Sequence, residues 1–295
     1  MTSVVLDAAV RTTAAASIIA LTACHHTTAP GDDGTIFIRN GAVTIAGTLD
    51  LPSGSGRFPV MVFVTGSGTT TREADKPAVD VALPQGIAVF RYDKRGLGQS
   101  TGTFEEVSTA NSERVLADRA SDVRAIVEYL SKHSRIRSNQ IFLWGTSQGA
   151  WVAPLVASQT NKVAFAICVM GGGSPVGTVI EYGRIGQDQS LTIDEMTKRA
   201  AAYTGPFGYD PLPTLARLST PVLWLYGGQD RFTPSQLDMA RIKQLQKSNF
   251  TVKFFPDMTH DMVDKSTGQV PATFYPDVLS WATPFLGAPQ VSRDP

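Results

Sequence analysis

Ile141-Phe142-Leu143-Trp144-Gly145-Thr146-Ser147-Gln148-Gly149, followed by Ala150-Trp151-Val152-Ala153-Pro154-Leu155-Val156-Ala157, reads as an apolar strand, a sharp turn and a helix-compatible run. The turn is a G-x-S-x-G pentapeptide. A serine there sits on strained backbone at the C-terminal edge of a sheet with its hydroxyl exposed, and larger residues in place of the two glycines would collide with strand and helix. The stretch proposes Ser147 as a nucleophile. Glycine and serine are common, so an ordinary strand-to-helix loop also produces this pattern. The reading therefore depends on a base, an acid and an oxyanion site at matching places.

Outward from that stretch the chain alternates strands and helices. Thr35-Ile36-Phe37-Ile38 and Val43-Thr44-Ile45-Ala46-Gly47-Thr48-Leu49 alternate apolar and polar residues around Asn40-Gly41, a hairpin signal. Continuous apolar runs begin at Phe58, Ile87, Ile141, Val163, Val222 and Phe250, as expected of strands buried on both faces. Helical spacing covers Glu113 to Ser131, Pro234 to Lys247 and, more weakly, Phe274 to Leu286. This order predicts an α/β fold with a mostly parallel sheet, an N-terminal hairpin and helices on both faces. Right-handed crossovers then gather the strand ends, and the chemistry, on one edge.

With 295 residues, 42% of them hydrophobic, the chain suffices for one large domain. Its 26 basic and 26 acidic residues cancel, and no cluster of Lys or Arg marks a nucleic-acid surface. Thr12 to Ala23 resembles a signal-peptide core, and Leu21-Thr22-Ala23-Cys24 resembles the lipobox of bacterial lipoproteins. Residues 1–23 are thus expected to be a lipoprotein-type signal, with Cys24 lipidated as the only membrane attachment, followed by a linker over 24–34. Plain secretion and an unstructured cytoplasmic tail remain as alternatives. Cys168, inside an apolar strand, is expected to be inert core. His25 and His26 are read as solvated linker rather than metal ligands, and no metal or organic cofactor is implied.

Elimination among the four histidines finds the base. His25 and His26 precede the fold, and His133 lies among Lys132, Arg135 and Arg137 at a helix end. His260 follows the strand at Phe250 and so shares the edge with Ser147. The acid that orients it should close another strand, as Asp230 does after Leu225-Tyr226-Gly227-Gly228-Gln229. Asp257 and Asp261 are too near His260 in sequence to reach round to the far ring nitrogen. Val64-Thr65-Gly66-Ser67-Gly68-Thr69 supplies the oxyanion site, with the backbone N–H groups of Ser67 and Gln148 as donors.

Strand order, the chain order Ser, Asp, His and the elbow resemble the α/β-hydrolase family over roughly residues 35–290. Gly66-Ser67-Gly68, Arg91-Tyr92-Asp93-Lys94-Arg95-Gly96-Leu97-Gly98-Gln99-Ser100 and Ser147-Gln148-Gly149 with Ala153-Pro154-Leu155-Val156-Ala157 resemble its bacterial esterase and serine-aminopeptidase-like branch. That branch usually places histidines where this chain has Thr65 and Thr146. Asp93 and Arg95 read as structural ion-pair and turn residues. The resemblance implies a serine hydrolase acting on small esters through an acyl-enzyme, with aminopeptidase or thioesterase chemistry, or a non-catalytic ligand-binding lipoprotein, as alternatives. Residues 174–219 exceed what a crossover needs and are expected to form a small lid. Thr192-Ile193-Asp194-Glu195 has the form of a capping box, and the helix it starts is expected to line an acyl pocket with Met196 and Tyr203.

Overall fold

The computed structural model describes residues 34–286. The expected signal segment, the expected lipidation residue Cys24, and His25 and His26 lie outside the described residues, as does the predicted domain end beyond residue 286.

Eight strands form one sheet: β1 (Ile36–Asn40), β2 (Val43–Asp50), β3 (Phe58–Val64), β4 (Ala88–Tyr92), β5 (Ile136–Thr146), β6 (Val163–Val169), β7 (Val222–Gly227) and β8 (Phe250–Phe255). Their spatial order is β1-β2-β4-β3-β5-β6-β7-β8. β1 pairs antiparallel with β2, and β2 with β4; the rest of the sheet is parallel. The hairpin closes with Asn40 opposite Val43, so Gly41-Ala42 is the turn, and Gly41 supplies a φ of 61°.

The helices are α1 (Lys76–Ala82), α2 (Ser112–Leu130), α3 (Gly149–Ala157), α4 (Val176–Ile185), α5 (Ile193–Ala201), α6 (Leu212–Arg217), α7 (Ser235–Gln244) and α8 (Phe274–Leu286). Side chains alternate along each central strand and so build two cores. Val60, Val62, Phe90, Leu143, Ala166 and Trp224 face α2, α3, α6 and α7. Met61, Val89, Phe142, Trp144, Ile167 and Leu225 face α1 and α8. On α2, which matches the predicted helix from Glu113 to Ser131 to within one residue at each end, the apolar residues Val115, Leu116, Val123, Ile126, Val127 and Leu130 are buried throughout. Cys168 is fully buried, and burial pushes its thiol pKa up.

The loop after β4 is pinned by charge. Asp93 pairs with Arg72 and accepts from the N–H groups of Arg72 and Gln99, both at 2.9 Å. Arg95 pairs with Asp122 at 2.9 Å, and the Ser100 hydroxyl joins the Asp93 carbonyl (2.7 Å) to the Ala46 N–H (2.9 Å). Asp93 and Arg95 are thus each anchored to the scaffold, and they hold Lys94, the residue between them, in place.

Candidate active site

The edge formed by the C-terminal ends of β3, β5, β6, β7 and β8 carries the candidate residues. Ser147 lies between β5 and α3 with a φ of 51°, a strained conformation for a residue with a side chain. Its N–H donates to the Val169 carbonyl at 2.8 Å and its carbonyl accepts from Ala150 at 2.9 Å, which fixes the strain in place. A Cβ on Gly145 would lie 2.3 Å from the Gly149 carbonyl oxygen, and one on Gly149 would lie 2.0 Å from that of Val64. Only glycine fits either flank of the elbow.

Asp230 follows β7 and is 1% exposed. Its Oδ1 accepts from the backbone N–H groups of Phe232 (2.8 Å) and Thr233 (2.9 Å), while Oδ2 faces both the Thr233 hydroxyl (2.5 Å) and His260 Nδ1 (2.9 Å). His260 Nε2 lies 3.1 Å from Ser147 Oγ. The structure thus joins the three residues in one hydrogen-bonded line. Asp257 is exposed and makes no hydrogen bond to the ring, whose nitrogens face Asp230 and Ser147. Burial alone would lower the His260 pKa, but the hydrogen bond and charge of Asp230, aided by Asp261, outweigh it and raise the pKa above the ordinary imidazole value. His133, at the end of α2, is half-buried beside the Tyr129 ring and takes no part.

Ser67 and Gln148 line the same cavity as Ser147 and His260. Among the described residues neither backbone N–H has a protein acceptor, and Gln148 occupies the N-cap of α3, where the helix presents positive potential. These are the properties a developing oxyanion requires.

The cavity encloses about 450 Å³, and apolar Val107, Trp151, Val176, Val179, Ile180 and Phe232 make up much of its wall. Met196 and Tyr203 are not in that wall, which corrects the expectation drawn from the capping box. The box itself is present: the Thr192 hydroxyl accepts from the Glu195 N–H at 3.2 Å, and the Glu195 carboxylate accepts from the Thr192 N–H at 2.8 Å. The helix it starts, α5, turns its apolar face to Tyr182 and Ile185 of α4 and to Leu237 of α7, so Met196 is fully buried in a separate small core. The Tyr203 hydroxyl donates to the Pro206 carbonyl, and its ring packs on Phe207. Helix α4 reaches the cavity instead.

Ile180, 47% exposed, and Phe232, 54% exposed, stand at the mouth. Each methylene gained or lost in an apolar pocket is worth about 1–3 kcal/mol. Ile180→Ala should therefore shift the kcat/KM profile over p-nitrophenyl esters toward longer acyl chains, by about tenfold in the long-to-short ratio. Met196→Ala should leave that profile alone and cost about 2–5 kcal/mol of stability. A length profile that responds to Met196 and ignores Ile180 would reverse the assignment.

Two polar residues at the site escaped the sequence reading. Glu106 accepts from the Gly68 N–H (3.0 Å) and from the Gln148 side-chain amide (3.1 Å). Burial would raise its pKa, but those bonds, the Val107 N–H and the Arg119 charge hold it below the ordinary value. Lys94 donates to the carbonyls of Gly66 and Gly68. Lys94 sits in a motif recognised for its neighbours, and Glu106 in a loop with no motif at all.

A parallel sheet of this order, led by an antiparallel hairpin and carrying a serine elbow after β5, is an α/β-hydrolase fold. Solved structures with the same architecture include the Pyrococcus furiosus esterase Pf2001, at TM-score 0.62 and 19% identity over 86% of this chain and 92% of that one. Est1E from Butyrivibrio proteoclasticus, with ferulic acid bound, matches at TM-score 0.55 and 21% identity over 76% of this chain and 90% of that one. At such identities the likeness is one of fold. Within the fold, the chain belongs to the X-Pro dipeptidyl-peptidase (S15) family, whose model matches residues 40–207. That match contains Ser67, Lys94, Glu106 and Ser147 and ends before Asp230 and His260. Esterase EstD of Thermotoga maritima is 25% identical over 260 residues, which make up 78% of this chain and 61% of that protein.

Proposed function

We propose that this chain is a serine hydrolase that cleaves small carboxylic esters through an acyl-enzyme intermediate. The observation that carries the reading is the unbroken line from Asp230 through His260 to Ser147, opening on a mostly apolar cavity. Ser147 Oγ attacks the ester carbonyl carbon as His260 Nε2 takes its proton. Negative charge passes to the carbonyl oxygen, which the N–H groups of Ser67 and Gln148 receive. His260 returns the proton to the departing alcohol, and Asp230 holds the imidazole in the tautomer that makes this possible. Water then attacks the acyl-serine by the same route, releasing the carboxylic acid and the free serine. Similarity to Esterase EstD and to solved esterases supports ester cleavage.

A second reading, cleavage next to a free amino end, is favoured by the S15 membership and by the exposed Glu106 carboxylate on the cavity wall, which suits an ammonium group. A panel of esters, thioesters and aminoacyl amides separates the two; esters turned over fastest support the first. The pH profile tests the shared machinery. Only neutral His260 can accept the serine proton, so kcat/KM should fall by one ionisation as pH drops through a value above the usual ~6.5 of histidine. A rate that stays flat down to about pH 5 would contradict a histidine base.

A further inference from the structure

Lys94 is 3% exposed. Its Nζ donates to the carbonyl oxygens of Gly66 at 2.7 Å and Gly68 at 2.6 Å, both in the loop after β3, and lies 5.7 Å from the centre of the Phe104 ring. Burying an ammonium against uncharged carbonyls is unfavourable, and packing alone does not ask for it. What the arrangement accomplishes follows from peptide geometry. In a planar trans peptide the carbonyl and the following N–H point opposite ways. With the Gly66 carbonyl turned to Lys94, the N–H of Ser67 is turned away from it, and Ser67 lines the cavity that holds Ser147.

We infer that Lys94 is a positioning residue for the oxyanion site: its ammonium fixes the Gly66–Ser67 peptide so that the Ser67 N–H faces the reacting carbonyl, and polarises that N–H from behind. The inference rests on the serine-hydrolase reading above. Glu106 holds the same loop from the other side, tying the Gly68 N–H to the Gln148 side chain. The two charged side chains thus brace both segments that carry oxyanion donors. A fixed cation behind the donor peptide costs no reorganisation when negative charge appears in front of it.

The charge on Lys94 is also poised to be lost. Burial lowers its pKa to about 8, with Arg119 pushing the same way and Glu106 and Asp75 opposing. Because the charged form does the polarising, kcat should decline as pH rises through that value.

The test measures kcat and KM against pH for wild type and for Lys94→Met, with fluorophosphonate labelling of Ser147 run on both. Loss of an oxyanion donor itself typically costs about 10²–10³ in kcat, so Lys94→Met should cost about 10–100-fold. KM should change by less than about threefold, because the ground-state carbonyl uses these donors far less than the transition state does. Wild type should show an alkaline fall in kcat that the variant lacks; a merely structural lysine would leave that limb in place. A Lys94→Met enzyme with full kcat, or with the same alkaline limb, would overturn the inference. If the variant fails to fold, the wild-type profile decides alone, and a kcat flat from pH 7 to 10 would overturn it. Wild type that is neither active nor labelled at Ser147 would remove the serine-hydrolase reading and this inference together. Labelled, active wild type with an unresponsive Lys94 removes only the inference.

Discussion

Ser147→Ala is expected to abolish turnover while leaving the fold intact, with a loss on the order of 10⁶ in kcat. The alanine removes the atom that forms the acyl-enzyme, and no neighbouring group replaces it. The oxyanion donors and the cavity survive, so residual catalysis of about 10³–10⁴ over water should remain. The backbone bonds of the elbow, Ser147 N–H to Val169 and Ala150 N–H to the Ser147 carbonyl, do not involve the hydroxyl, so thermal stability should hold. Steady-state hydrolysis of a p-nitrophenyl ester, with a melting curve as control, checks both points. A variant keeping a tenth of the wild-type rate would rule out Ser147 as nucleophile.

Asp230→Asn is the second large effect, expected at about 10⁴ in kcat. The reason is legible in the acid's own hydrogen bonds. The N–H groups of Phe232 and Thr233 both point at Oδ1, so an amide must leave its carbonyl oxygen there and turn its NH2 group to the position of Oδ2. That group then donates to His260 Nδ1, which must become an acceptor, and the ring proton moves to Nε2. A protonated Nε2 cannot accept from Ser147. Asp257→Asn should change little, since Asp257 is exposed and carries none of these contacts. Reversal of the two results, measured as kcat at a pH where His260 is neutral, would transfer the orienting role to Asp257.

How far the sequence revealed this arrangement depends on whether a feature is local. The strands were legible because burial on both faces demands unbroken apolar runs: β3, β6 and β8 start at Phe58, Val163 and Phe250, where their runs begin. β5 starts earlier than its apolar run, at Ile136, because Arg137, Ser138, Asn139 and Gln140 lie at the end of the sheet away from the catalytic edge, where polar side chains reach solvent. The three hydrogen-bonded residues were legible because each closes a strand, and parallel strands of known direction put their ends together. Helix α4 was not. Gly177, Gly183 and the β-branched Val176, Thr178, Val179 and Ile180 are weak helix formers, and the helix exists through the packing of Tyr182 and Ile185 on α5 and of Val176 and Val179 on the main core. The capping box at Thr192 correctly located a helix start, yet a cap says nothing of which neighbour consumes the apolar face. Lys94 and Glu106 acquire meaning only from loops distant in sequence that meet in space.

If Ser147 is a nucleophile activated by His260, a fluorophosphonate should react with its hydroxyl, and peptide mass spectrometry locates the adduct. A single adduct is expected, on Ser147, formed far more slowly in His260→Ala. An unlabelled protein, an adduct on another serine such as Ser67, or labelling of Ser147 at the same rate without His260 would contradict that assignment.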